Sequence, residues 1–212
     1  MTPLTLTTAG ESVCLWPDRA LGWQDILLVA DVHLGKSAVF RAAGLPMPPG
    51  DLEHDLARLT ALVNGSGAGR LVILGDFVHG PIRENVALVV GEWREKLAAK
   101  LFIVRGNHDR HVPNWPPSWR VGDYPAGHRE GPFALHHEPI TVADACVVAG
   151  HVHPTVSVGR SADRLRFPGF IVENESILLP AFTQFSGGPV LPRREGRRRY
   201  ACTPDGVVPL DD

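Results

Sequence analysis

Ile26-Leu27-Leu28-Val29-Ala30-Asp31-Val32-His33 sets five apolar residues directly ahead of an Asp-x-His triplet. A short continuous apolar run suits a strand covered on both faces. The pattern recurs. Leu71-Val72-Ile73-Leu74 precedes Gly75-Asp76-Phe77-Val78-His79, Leu101-Phe102-Ile103-Val104 comes just before Gly106-Asn107-His108-Asp109, and Cys146-Val147-Val148-Ala149 precedes Gly150-His151-Val152-His153. Between the first two runs, Leu52, Leu56, Leu59 and Val63 share one helical face, behind Pro48-Pro49-Gly50 and with Asp51 as the expected cap. Val86, Val90, Trp93 and Leu97 repeat that spacing before the third run. The order βαβαβ predicts a parallel sheet with right-handed crossovers.

In such sheets the ligand crevice lies beyond the carboxyl ends of the strands. Asp31, Asp76 and Asn107 each fall just past one of these ends, and the fourth run delivers His151 and His153 to the same rim. The later chain is different in kind. Arg164 to Phe170, Ile177 to Leu179 and a turn at Asp205-Gly206 favour antiparallel strands closing a second sheet. His111 to Pro125, with Pro113, Pro116 and Pro117, reads as an extended loop beside Asn107-His108.

At 212 residues and 44% hydrophobic content, the chain suits one domain over residues 1–212. Its motifs occupy residues 26–185, and a basic segment and hairpin follow over 186–212. The net charge of −2 gives no global pull toward nucleic acid, yet residues 159–200 hold eight Arg against four acidic residues. Cys14, Cys146 and Cys202 are odd in number and widely spaced, which fits reduced thiols better than a disulfide framework or a zinc ribbon. With no apolar run approaching a membrane span and no leader-like start, the expectation is a cytoplasmic protein with no membrane contact.

The convergent donors are carboxylates, an amide and imidazoles, suited to two divalent cations with Asp76 as the shared bridge. Asp31, His33 and His153 would surround one ion, and Asn107, His151 and a middle histidine the other. The middle position is held by His136 or His137; neighbouring residues of a strand face opposite ways, so only one can point inward. Two such ions generate a hydroxide nucleophile and clamp a phosphate, which points to phosphate-ester hydrolysis. The lack of thiolate donors favours a hard or borderline ion, Mn²⁺ or Fe²⁺ above Zn²⁺.

These motifs resemble the calcineurin-like metallophosphoesterase superfamily over residues 26–185. The resemblance implies a four-layer αββα sandwich of two mixed sheets flanked by helices. It implies Asp31, His33, Asp76, Asn107, His151 and His153 as ligands. It also implies His108 beside the scissile phosphate, stabilising charge or protonating the leaving oxygen, with Asp109 orienting its ring. Many members have proline two residues after the middle ligand, which through Pro139 selects His137 and leaves His136 as the alternative. His79 occupies a position where repair nucleases of the superfamily also carry histidine, implying contact with the phosphate or leaving group.

Asp31-Val32-His33-Leu34-Gly35-Lys36 with Phe40-Arg41-Ala42-Ala43-Gly44-Leu45-Pro46 is similar to the bacterial ligase-associated DNA-damage-response endonuclease subgroup. So is Leu179-Pro180-Ala181-Phe182 with Gly187-Gly188. That likeness implies manganese-dependent cleavage of DNA phosphodiesters in repair, alongside a DNA ligase and a helicase. Single-stranded DNA, or DNA with unpaired regions, is the expected substrate. The competing readings are a phosphodiesterase or phosphatase for small nucleotides and a scaffold without turnover.

Lys36 and Arg41 are candidates for holding a DNA phosphate, against the reading of solvated side chains. Arg193, Arg194, Arg197, Arg198 and Arg199 form a denser cluster, either a nucleic-acid contact or the cap of an exposed hairpin. Trp115 and Trp119 would stack on bases or pack as the core of their own loop.

Overall fold

The computed structural model describes residues 2–46, 50–159 and 164–211. Pro48 and Pro49, read as part of a helix start, lie outside the described residues. The chain runs β1 (Leu4–Thr8), β2 (Glu11–Trp16), β3 (Ala20–Trp23), β4 (Ile26–Val29), α1 (Lys36–Ala42), α2 (Asp51–Ser66), β5 (Arg70–Leu74), α3 (Glu84–Lys96), β6 (Lys100–Val104) and β7 (Val121–Tyr124). These seven strands form one sheet in sequence order, antiparallel from β1 to β4 and parallel from β4 to β7. The apolar runs are continuous because both faces are buried. Leu27, Val29, Leu71, Ile73, Leu101 and Ile103 pack with the apolar faces of α2 and α3, while Ile26, Leu28, Val72, Leu74 and Val104 face the second sheet.

Asp51 is the first helical residue of α2; the cap position belongs to Gly50, in the left-handed region at φ 84, with no side-chain capping bond. Asp51 and Glu53 instead place negative charge in the first turn, which suits the helix dipole. Two further expectations change. The His111 to Pro125 stretch contains β7, which pairs in parallel with β6. The β1–β3 meander was not read from the sequence, although Leu4, Leu6, Val13 and Leu15 alternate on either side of the Gly10 turn and point at the inter-sheet core.

The second sheet holds β8 (His128–Glu130), β9 (Phe133–Leu135), β10 (Cys146–Ala149), β11 (Thr155–Val158), β12 (Leu165–Val172), β13 (Ser176–Leu178), β14 (Arg198–Thr203) and β15 (Gly206–Pro209). It is mixed. β12, β14 and β15 pair antiparallel as expected, whereas β13 turns back from β12 and lies parallel to β10. Both sheets are therefore mixed, and the chain is the expected sandwich. Period-two alternation sorts the second sheet too: Phe133, Leu135, Cys146, Val148, Phe170 and Val172 face the first sheet, while Ala134, Val147, Ala149 and Ile171 form a third core layer outside. The C-terminal hairpin belongs to this sheet through β14 and β12. No helix among the described residues is long and apolar enough to cross a membrane. The loops after β4, β5, β6 and β10 share one rim.

Candidate metal centre

Short loops after strands aim the rim residues by an unusual backbone. Asp31, His33, Asp76, His151 and His153 have φ of 56, 52, 52, 66 and 50°, all in the left-handed region. Such conformations cost on the order of 1–3 kcal/mol each and persist when neighbours hold them. Here the loops hold one another: Asp31 N–H donates to Gly75 O at 3.1 Å, His33 N–H to Asp76 O at 2.8 Å, and Leu34 N–H to Phe77 O at 2.8 Å. Two motif glycines meet a space requirement. A Cβ at Gly75 would overlap the His137 ring, and one at Gly106 would overlap Asp76.

Asp31 and Asp76 are buried at the centre. Asp31 Oδ1 lies 3.2 Å from His153 Nε2, and Oδ2 accepts from His151 N–H at 2.9 Å. The two oxygens of Asp76 diverge. Oδ1 is 3.5 Å from His137 Nε2, and Oδ2 is 3.8 Å from His33 Nε2. His137 Nε2 also lies 3.0 Å from Asn107 Oδ1 and 3.1 Å from His151 Nδ1. Asp31, His33, Asp76, Asn107, His137, His151 and His153 are thus brought together. His136 is turned away, its Nε2 buried without a hydrogen-bond partner near Gly127. Strand parity decides between them: Leu135 faces the inter-sheet core, so His137 follows it and His136 does not. His137→Ala is accordingly expected to cost one metal ion per chain, and His136→Ala to change stability alone. Metal analysis of the two purified variants checks this, and the reverse pattern would transfer the role.

The cluster fits divalent cations on the chemistry of its own atoms. Asp31 Oδ1 and His33 Nε2 are buried with no hydrogen-bond partner, which is costly unless something else satisfies them. Burial, then Lys36 and the neighbouring histidines, pulls the His33 pKa down to about 2, so its imidazole is neutral and able to donate a lone pair. Oxygen and imidazole donors with no thiolate suit a hard or borderline ion.

His108 stands at the open side. Its backbone N–H donates to Asp76 Oδ1 at 2.9 Å, and its side chain is 36% exposed. The Asp109 expectation is corrected: its two carboxylate oxygens accept from Val78 N–H and Gly106 N–H, at 3.1 and 2.9 Å, tying the second motif to the third instead of orienting the His108 ring. Burial raises its pKa to about 6. His79 stacks on His108 with centroids 4.5 Å apart, and its Nδ1 lies 3.2 Å from His33 Nδ1. Burial, then His108 and Lys36, lowers the His79 pKa to about 4.

Among the substrate candidates, Lys36 Nζ donates to Ser186 Oγ at 2.6 Å, and burial lowers its pKa while Asp31 and Asp76 oppose the shift. Arg41 donates to Ser37 Oγ at 3.3 Å and lies 3.8 Å from Asp51. The arginine cluster is not at the rim. It sits level with Glu173, at the end of the second sheet where β10 starts, and four of its five members are paired there with two carboxylates. Arg194 and Arg197 pair with Glu173 at 3.4 and 2.8 Å, while Arg199 makes a two-pronged contact with Asp211. Trp119 is a packed loop core: fully buried, it meets Phe77 edge-on at 5.7 Å and donates to Ala87 O at 2.9 Å. Trp115 stacks on Trp119 at 5.9 Å.

An arch behind Asp31 escaped the sequence reading. Phe182 N–H donates to Ala30 O and Thr183 N–H to Asp31 O, at 2.8 and 3.2 Å. Arg19 Nη1 donates to the carbonyls of Ala181 and Thr183 at 3.1 and 2.7 Å, and Arg58 donates to Phe182 O at 2.9 Å and lies 4.0 Å over its ring. Asp18 and Asp55 pair with Arg58 at 2.6 and 2.8 Å. No local pattern links residues this far apart in the chain. Arg58→Ala would leave Asp55 buried without its cation, an expected loss of about 3–5 kcal/mol in denaturant unfolding. A loss under about 1 kcal/mol would show the arch to be dispensable.

The family model for calcineurin-like phosphoesterases matches residues 25–155. Over 99% of this chain and 100% of the other, the crystal structure of the Pseudomonas putida nuclease MPE is similar with a TM-score of 0.86 and 34% identity. Yfce, a phosphoesterase from E. coli, gives a TM-score of 0.42 and 19% identity over 82% of this chain and 86% of that one. No curated protein matches the sequence.

Proposed function

As this chain belongs to the calcineurin-like phosphoesterase family and is a metal-dependent phosphoesterase, we propose that it is a binuclear, manganese-dependent DNA endonuclease acting in repair. The carrying observation is the rim cluster, in which seven donor residues from five loops gather about the buried, unpartnered Asp31 Oδ1 and His33 Nε2. Asp31, His33 and His153 would hold one ion and Asn107, His137 and His151 the other, with Asp76 between them. When bound, the two ions supply an activated water and a clamp on the phosphate oxygens. His108, anchored through its N–H to Asp76 and open to solvent, donates a proton to the leaving oxygen or offsets its charge. His79 braces the His33 ring through Nδ1 and leaves its own far edge for the substrate. Asp109 holds the motif loops in register. Lys36, beside both central carboxylates, takes a nonbridging phosphate oxygen, and Arg41 a neighbouring phosphate.

The full-length likeness to a nuclease supports DNA as the substrate. The similarity of the Asp31 to Pro46 and Leu179 to Phe182 segments to the ligase-associated subgroup supports repair and functional association with a DNA ligase and a helicase. Three free cysteines support a cytoplasmic setting. The test offers the purified protein with Mn²⁺ four substrates: circular single-stranded DNA, duplex DNA, a bis-aryl phosphodiester and an aryl monoester. Nicking of the circle with diester over monoester preference is expected. Monoester preference without nicking would replace the reading with a small-nucleotide phosphatase.

A further inference from the structure

Beside the metal cluster, the row of rings that begins at His108 and His79 continues to Phe40, which the chemistry above leaves unused. Phe40, half-buried on α1, meets His79 edge-on with centroids 6.0 Å apart, and His79 stacks on His108. Val39 and Leu45 on the same flank are 38 and 53% exposed, apolar surface left in water at the edge of a charged site. Between α1 and the loop that follows His79 runs a narrow cleft lined by Val39, Val78, His79, Ile82, Arg83 and Val86. Arg83 on this cleft and Arg110, two residues beyond His108, are exposed, and among the described residues neither guanidinium has a hydrogen-bond or ion-pair partner. Other described cations whose side chains lack such partners are Lys96, Lys100 and Arg120, where β6 and β7 begin at the opposite end of the strands, and Arg164, just before β12.

Aromatic faces interleaved with uncompensated positive charge suit a single nucleic-acid strand, whose unstacked bases need a platform and whose phosphates need counter-charge. Resting on the reading above, we propose that Phe40, Arg83 and Arg110 form a subsite for one unpaired DNA strand. Phe40 stacks on a base adjoining the scissile phosphate, and the arginines take phosphates on either side. Duplex DNA keeps its bases stacked internally and cannot present a free face to Phe40, so this rim selects unpaired regions.

The test compares kcat/KM for a single-stranded oligonucleotide and for the bis-aryl diester, with Mn²⁺. Phe40→Ala and Phe40→Leu are both expected to lower the oligonucleotide-to-diester ratio roughly 5- to 100-fold, with Phe40→Trp restoring it. On an oligonucleotide with an abasic residue beside the cleaved bond, the difference between wild type and Phe40→Leu should fall below about twofold, since no base remains to stack. Arg83→Ala and Arg110→Ala should each reduce the slope of log affinity against log salt by about 0.7. A Phe40→Leu penalty undiminished on the abasic strand, or salt slopes unchanged in both arginine variants, overturns the subsite while leaving the nuclease reading in place. Wild-type protein that turns over the diester but leaves DNA intact overturns the nuclease reading, and the subsite with it.

Discussion

Asp76→Ala is expected to empty both cation sites and to reduce hydrolysis to the uncatalysed background. Asp76 is 2% exposed, with one oxygen toward His137 and the other toward His33, so a single carboxylate serves both halves of the cluster. Without it two dications would face each other across a few ångströms with no shared anion. Their repulsion is strong at short range in a site this dry. The substitution also removes the acceptor for the His108 N–H, which sets the third motif against the second. Asp76→Asn keeps an oxygen for that hydrogen bond and separates the two effects: it should fold like wild type and still lack metal. Elemental analysis, titration of Mn²⁺ by its paramagnetic resonance signal and diester turnover read the outcome. Two ions retained per chain in Asp76→Ala would take the bridging role away from this residue.

His108→Ala should keep its metals and lose about two to four powers of ten in kcat, the range for a positioned acid or charge stabiliser. The reason is a division of labour within one motif. Asn107 Oδ1 lies inside the cluster at 3.0 Å from His137 Nε2, whereas His108 Nε2 stands 4.0 Å from Asp76 Oδ2 with its ring reaching solvent. A substrate with an aryl leaving group, which departs without needing a proton, should lose less than one with an alkoxide leaving group. That contrast distinguishes proton donation from charge stabilisation. If one ion departs with the imidazole, His108 is a ligand and the division fails.

Most of the candidate centre was legible because its information is local. An apolar run long enough for one buried strand, followed at once by a donor triplet, specifies both an element and the end at which its donors emerge. Three such pairs on adjacent parallel strands can meet only along one edge, and the fourth reaches the same rim from β10 of the second sheet. The orienting role expected of Asp109 came from the family likeness, which fixes residue type and position but not where a side chain points. In the short 3₁₀ turn from His108 to His111 the two side chains diverge, and the smaller carboxylate is turned inward to two backbone N–H groups. The arginine cluster stayed between two readings for a related reason. Density along the chain counts charges but not their partners, and Glu173 and Asp211, brought in just past β12 and β15, pair with four of the five.

Periodicity, donor type and the βαβαβ order from β4 to β6 were therefore determined by the sequence alone, since each depends on residues within a turn or a strand of one another. The tertiary structure decided what depends on distant segments meeting. It chose His137 over His136 through the face that β9 turns to the core, and it held Asp31 in a left-handed conformation against an arch keyed by Arg19 and Arg58. It also left Arg83 and Arg110 without acidic partners beside the metal cluster while pairing the denser arginines elsewhere. Electrostatic neutralisation and backbone strain are set by whatever the fold places within a few ångströms, and no one-dimensional pattern records that distance.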